Sequence, residues 1–238
     1  MADYRGLESE IMKALGLKRR PVAVTFAASA PHGVRKFSGS EPAGCSFWLR
    51  AERGEVFYTE PGDHYNCAVG CFTHSIALPA DRASEMDQTL AFMMQLGYLK
   101  AEDLGQIAQL RETPRFVIYA PLSEAPAPPD VVLFADKPSC IMLLNEAALR
   151  AGVATQSATL GRPTCMALPA AISGGLALST GCVGNRIYTG LGDDELYVAI
   201  RGADLERVAA EAQTIATANA RLADYHRERR HTLHREQP

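Results

Sequence analysis

Short apolar segments rich in β-branched and aromatic residues recur along this chain, and stretches with a helical spacing of apolar residues separate them. Residues 21–26 read Pro-Val-Ala-Val-Thr-Phe and residues 116–120 read Phe-Val-Ile-Tyr-Ala, a composition typical of strands. Between them, Met86, Leu90 and Met93 fall near one face of a helix. This alternation predicts a mixed sheet with helices on its faces, in the α/β or α+β class.

The same criteria place the other elements. We predict strands over residues 21–26, 55–59, 116–120, 131–134, 176–179 and 195–200. We predict helices over residues 7–16, 44–51, 82–96, 101–111, 138–151, 163–172 and 203–230. The last helix repeats apolar residues at spacings of three and four from Leu205 to Leu222. We expect it either to pack on its own sheet or to form a homodimer seam.

The length suits a single domain, 1–238, which we divide into two pseudo-repeated halves, 18–112 and 113–202, followed by the C-terminal helix at 203–230. Each half has a helix, a glycine, a strand and a loop with a cysteine, in that order. The features are Cys45, Gly54, Thr59 and Cys67 in the first half, and Cys165, Gly175, Thr180 and Cys182 in the second. We therefore expect a duplicated α/β unit whose two cysteine loops face each other.

Charge and hydropathy exclude several classes of protein. The net charge is −3 and the isoelectric point about 6.1, which gives no electrostatic case for nucleic acid or an anionic membrane. The one basic run, from Arg227 to Arg235, is typical of a solvated end. The first residues have no signal-peptide pattern, and no apolar run reaches the ~18 residues that span a bilayer. We expect a cytoplasmic protein whose six cysteines are thiols or ligands.

Residues 64–75, His-Tyr-Asn-Cys-Ala-Val-Gly-Cys-Phe-Thr-His-Ser, hold the densest group of candidate ligands. Cys67 and Cys71 are four residues apart, so on a helix both thiols share one face and supply two ligands to a metal or cluster. His64 and His74 flank the pair, but structural zinc sites normally combine two separated ligand pairs. We expect the cysteine pair to be half of a site, with His64 in proton transfer.

Two other cysteines are candidates for the other half. Cys182 lies between glycines after a predicted strand, where sheet proteins commonly form sites, and Arg186 supplies a positive charge nearby. Cys45 follows a glycine at a predicted helix start, where the helix dipole stabilises a thiolate. Cys140 falls on an apolar helix face and is predicted to be core. Cys165 is a reserve candidate for which packing is the preferred interpretation.

Four segments resemble domain-of-unknown-function family 169. They are Arg-Arg-Pro-Val-Ala-Val at 19–24, Gly-Cys-Ser-Phe-Trp at 44–48, Asn-Cys-Ala-Val-Gly-Cys at 66–71, and Gly-Cys-Val-Gly-Asn-Arg-Ile-Tyr-Thr-Gly at 181–190. The last segment is the most specific, and the resemblance spans most of the chain. It implies a cytoplasmic prokaryotic protein with cysteines at the positions of Cys45, Cys67, Cys71 and Cys182, and it implies no particular activity.

The leading functional hypothesis is an iron–sulfur protein in which Cys45, Cys67, Cys71 and Cys182 hold a [4Fe-4S] cluster. If only three cysteines bind, the fourth iron is open to a small sulfur-containing or anionic substrate. The protein is then a cluster-dependent enzyme, and its candidate catalytic residues, for proton transfer, anion binding and orientation, are His64, Arg186 and Tyr188.

Three alternatives stay open. The first is a zinc or other transition-metal protein that uses Cys67 and Cys71 with His64, His74 or Cys182. The second is a metal-free thiol enzyme or redox sensor with Cys182 or Cys67 as the nucleophile. The third is a small-molecule binding module built on the glycine-rich residues 173–192, a stretch that matches no nucleotide-binding or hydrolase motif.

Overall fold

The computed structural model of the protein describes residues 3–156 and 163–235. The strands in these ranges are β1 (Val22–Ala27), β2 (Arg35–Lys36), β3 (Phe57–Thr59), β4 (Phe116–Pro121), β5 (Val131–Asp136), β6 (Thr155–Gln156), β7 (Leu176–Ser179) and β8 (Leu196–Arg201). The α-helices are α1 (Tyr4–Leu15), α2 (Gly44–Glu52), α3 (Ala68–Thr73), α4 (Glu85–Gln95), α5 (Pro138–Arg150), α6 (Ala167–Gly174), α7 (Val183–Thr189) and α8 (Leu205–Arg235).

These strands form one mixed sheet in the order β2-β3-β4-β1-β5-β8-β7-β6, and helices cover both of its faces. Side chains alternate across a strand, so Val22 and Val24 of β1 pack against α2 and α6, whereas Ala23 packs against α1, α5 and α8. The two apolar cores lie on opposite faces of the sheet. The predicted mixed sheet with flanking helices and a long C-terminal helix is confirmed, in the α+β class.

The strand order is the same outward from the central antiparallel pair β1–β5. One side runs β1, β4, β3, β2 and the other β5, β8, β7, β6, with antiparallel, antiparallel and parallel pairings in turn. On each side a helix precedes the third strand and a short helix follows it, namely α2 and α3 around β3, and α6 and α7 around β7. This equivalence supports the predicted pseudo-repeat, and the duplication of one α/β unit stays a prediction.

The C-terminal helix α8 packs on the sheet through its first turns and projects beyond it. Leu205, Val208 and Ala212 are buried against the core that α1 and α5 also cover, while Leu222 and Tyr225 are exposed. The buried part explains the first half of the apolar repeat without a second chain, and the homodimer through this helix stays a prediction. Among the helices of the described ranges, none is both long and apolar enough to cross a bilayer.

Two short helices, α3 and α7, follow the cysteine loops and are not among the predicted helices. In the second half, Gly181 (φ 80°) and Gly190 (φ 65°) bracket α7 as the turn before it and the left-handed cap after it. The predicted helix at 101–111 is instead a 3₁₀ segment, Ala101–Gln106. These differences matter because α3 and α7 begin directly after Cys67 and Cys182.

Candidate functional site

One cavity of about 390 Å³ lies at the N-terminal ends of the helices on one face of the sheet, and four cysteines line it. They are Cys45, Cys67, Cys165 and Cys182. Cys67 and Cys182 are the N-cap residues of α3 and α7. Cys45 is the second residue of α2, and Cys165 lies in the 3₁₀ turn that leads into α6. Each half of the sheet therefore contributes one N-cap cysteine and one cysteine at the start of the preceding helix.

Local hydrogen bonds hold the cysteine-bearing turns together. The Cys67 Sγ accepts a hydrogen bond of 3.2 Å from the Gly70 N–H, and a Cβ on Gly70 would lie only 3.0 Å from that sulfur. The Cys182 N–H donates to the Thr164 Oγ1 at 2.6 Å, which ties the start of α7 to the turn that carries Cys165. These two short hydrogen bonds position the N-cap cysteines Cys67 and Cys182.

The thiols influence one another electrostatically. Burial is the main cause that raises the pKa of Cys45 to about 12; the Asn185 side chain lowers it, and the nearby sulfurs of Cys67 and Cys182 add to the rise. Burial also raises the pKa of Cys165 well above its usual range, and Cys67 adds to this effect. Cys45 and Cys165 are therefore neutral thiols near pH 7 unless a cation lies beside them.

Four thiols line the cavity, but within residues 3–156 and 163–235 no three His, Cys, Asp or Glu side chains come together closely enough to hold a single metal ion. A cubane cluster spreads its thiolate ligands around a body of iron and sulfide, whereas zinc needs them at bonding distance from one atom.

The opposite wall of the cavity comes from α4 and the 3₁₀ segment after it. Its apolar members are Met86, Leu90, Met93, Leu99, Leu104 and Ile107. The lining residues include no Lys, Arg or His in the part of the chain that the structure describes. The one carboxylate, Asp103, accepts a hydrogen bond from the Lys100 N–H of its own segment. The cavity thus has a thiol side and an apolar side.

Asn185 is a buried polar residue of the cavity that sequence patterns did not single out. Its side chain is part of the lining, the residue is 2% exposed, and both Oδ1 and Nδ2 lack a hydrogen-bond partner of ordinary geometry. The amide lies near the Cys45 thiol and lowers its pKa. The amide also lies near the Tyr197 hydroxyl, and its unsatisfied atoms leave it able to hydrogen-bond a group in the cavity.

The structure places Cys71, His64 and His74 in the core beside the cavity rather than in its lining. The Cys71 thiol is buried and donates to the His64 main-chain oxygen at 3.2 Å. His64 and His74 stack with ring centroids 5.9 Å apart, and Thr59 contacts the His64 Nε2 at 2.8 Å. Burial lowers the pKa of His64 to about 3 and of His74 to about 4. Both rings are therefore neutral core groups at physiological pH.

The remaining sequence candidates divide between the cavity and the scaffold. Tyr188 lines the cavity and is 44% exposed, so it lies at the rim. Arg186 is absent from the lining and donates to the main-chain oxygens of Thr180, Gly192 and Glu195. Cys140, predicted to be core, is half-buried against the core on the opposite face of the sheet.

Replacing Arg186 by Met is expected to lower the free energy of unfolding by about 3 kcal/mol, because three main-chain oxygens lose a charged donor. Urea denaturation measures this. The matched control is Arg227→Met, which breaks an exposed ion pair on α8 and should cost less than about 1 kcal/mol. Unchanged stability of the Arg186 variant would instead support the anion-binding role suggested by the sequence.

The fold and the cavity together define a class of protein, an α+β domain whose mixed sheet carries a cysteine-lined pocket at the helix N-termini of one face. The family model of DUF169, described as uncharacterised ArCR, matches residues 10–211, so the chain belongs to that family. The family resemblance drawn from the four sequence segments is confirmed. No curated protein and no solved structure matches the chain.

Proposed function

We propose that the protein is an iron–sulfur protein and that Cys45, Cys67, Cys165 and Cys182 hold its [4Fe-4S] cluster. The observation that carries the proposal is that four thiols, from four separate helix starts, line one cavity. Cubane clusters are commonly held by four cysteine thiolates. This set of proposed ligands contains Cys165 in place of Cys71, which was the candidate from the sequence.

A bound cation would change the charge state of the two most buried thiols of the cavity. Burial keeps Cys45 and Cys165 protonated and therefore poor nucleophiles, so the metal-free thiol alternative relies on Cys182 or Cys67. Bound iron would lower the pKa of these thiols, because a metal ion binds and stabilises the thiolate. In the zinc alternative, Cys71 would have to give up its hydrogen bond to the His64 main-chain oxygen.

A bound cluster would supply one-electron transfer, or a Lewis-acidic iron if one cysteine does not bind. The chain's own residues would bury the cluster, exclude water through the apolar wall and place the Asn185 amide beside the Cys45 sulfur. An enzyme that acts on a small molecule next to the thiols fits this arrangement. The cytoplasm, where thiols stay reduced, is the setting that the proposal requires.

The test is purification without oxygen, followed by measurement of iron, acid-labile sulfide, zinc and the visible spectrum. We expect a brown protein with about four irons and about four sulfides per chain. Zinc without sulfide would support the single-ion alternative. A colourless protein free of iron after anaerobic reconstitution with iron and sulfide would overturn the proposal.

A further inference from the structure

We propose that the apolar side of the cavity is a binding site for an uncharged small organic molecule, with an apolar body under α4 and a polar head against Asn185. The inference names the substrate class for the same cavity. It rests on the proposed function only in calling that molecule a substrate, since binding itself does not need the cluster. Three independent features of the structure carry it.

The first feature is the way α4 uses its inner face. Met86, Thr89, Leu90 and Met93 form a half-buried stripe along one side of the helix, and all four line the cavity. No residue of α4 is buried. An amphipathic helix normally buries its apolar stripe against a core. Here the stripe faces an open volume, so its apolar surface is available to a ligand.

The second feature is the place of this segment in the fold. In the second half, residues 190–195 suffice to connect α7 with β8, whereas in the first half residues 74–115 lie between α3 and β4 and include α4. Each half supplies two of the four cysteines without that insertion. The insertion therefore adds a cavity wall that the placement of the cysteines does not need. This favours a ligand in addition to the proposed cluster.

The third feature is the polarity of the lining. Across the described residues it offers no Lys, Arg or His, so an anion would be buried without a counter-charge at a large desolvation cost. The lining therefore favours a neutral substrate over the anionic one that the sequence suggested. The Oδ1 and Nδ2 of Asn185, which make no hydrogen bond of ordinary geometry, suit a head group that both donates and accepts hydrogen bonds, such as a primary amide or a hydroxyl.

The probes are straight-chain molecules that differ only in the head group, namely hexanamide, hexanoate and hexylammonium, with butanamide and octanamide to vary length. Binding is measured by isothermal titration and thermal shift on the full chain as purified without oxygen. We expect at least one amide to bind, and hexanoate, which meets no counter-charge in the described lining, to bind at least about tenfold more weakly. Failure of all three amides, or binding of either ion that equals or exceeds that of hexanamide, would overturn the proposal.

Variants locate the site. Leu90→Asn, on the half-buried stripe of α4, is expected to weaken amide binding by about tenfold or more. The matched control on the same helix is Phe92→Asn, at a residue that is 60% exposed and outside the lining, and it is expected to leave amide binding unchanged.

Asn185→Leu tests the polar head of the site and is expected to weaken amide binding by about tenfold. It should leave the thermal midpoint of the free protein unchanged or raised, because it removes unsatisfied buried polar atoms. Equal effects of Leu90→Asn and Phe92→Asn, or a lowered midpoint with unchanged binding for Asn185→Leu, would overturn the site.

Iron and sulfide are measured on the same samples, so the two proposals fail separately. A preparation that binds the amide but never acquires iron overturns the cluster and supports this site. A preparation that holds about four irons but binds no amide supports the cluster and overturns this site.

Discussion

Replacing Cys165 by Ala is expected to reduce the iron content of anaerobically purified protein by about tenfold or more, whereas replacing Cys71 by Ala leaves it unchanged. The two residues are both at least partly buried thiols near the same helices, so they form a matched pair. Only Cys165 lines the cavity, while the Cys71 thiol donates to the His64 main-chain oxygen. The same loss is expected for alanine at Cys45, Cys67 or Cys182.

Circular dichroism and gel filtration must first show that each variant folds, because a buried cysteine contributes to packing as well. Cys140→Ala, on the opposite face of the sheet, serves as a second control that keeps its iron. Iron loss from the Cys71 variant together with iron retention in the Cys165 variant would restore the ligand set drawn from the sequence. Partial loss at one of the four positions would identify the iron that is open to substrate.

The choice between Cys71 and Cys165 shows what a spacing argument can and cannot decide. Two cysteines four residues apart share one face only if both lie inside a helix. Cys67 is the N-cap of α3, so its sulfur turns back to the Gly70 N–H, whereas Cys71 lies within the helix and turns to His64. The helix boundary, which the cysteine spacing does not reveal, therefore gives the two sulfurs different hydrogen-bond partners.

The internal repeat held the information that the local spacing lacked. It aligned Cys45 with Cys165 and Cys67 with Cys182, and these are the four cysteines that line the cavity. Six of the eight strands in the described ranges and most helices were also predictable, because their apolar residues alternate or recur at helical spacing, whereas the two-residue edge strands β2 and β6 were not. The role of α4 was not, since the same stripe of Met86, Leu90 and Met93 predicts packing on a core and gives no sign of a cavity.

Lowering the pH from about 7 to about 5 is expected to reduce the free energy of unfolding by roughly 4 kcal/mol through His64 and His74. In the folded protein burial holds the pKa of His64 at about 3 and of His74 at about 4, while an unfolded histidine titrates near about 6.5. Below that pH the histidines of the unfolded state bind protons, whereas those of the folded state stay neutral. The contribution of the two buried histidines to stability is therefore present above the unfolded-state pKa of about 6.5 and is lost as the pH falls toward the folded-state pKa values.

Comparison with variants isolates the histidine contribution from that of the carboxylates, which also titrate on acidification. Urea denaturation at both pH values is expected to show a pH-dependent loss about 2 kcal/mol smaller for His74→Leu than for the unchanged protein, because one of the two buried imidazoles is removed. His226→Gln, at an exposed position on α8, keeps the full loss. A His74→Leu variant with the same loss as the unchanged protein would show that this ring is accessible to protons in the folded state. The stacked neighbour His64 would then regain the proton-transfer role that the sequence suggested and that burial argues against.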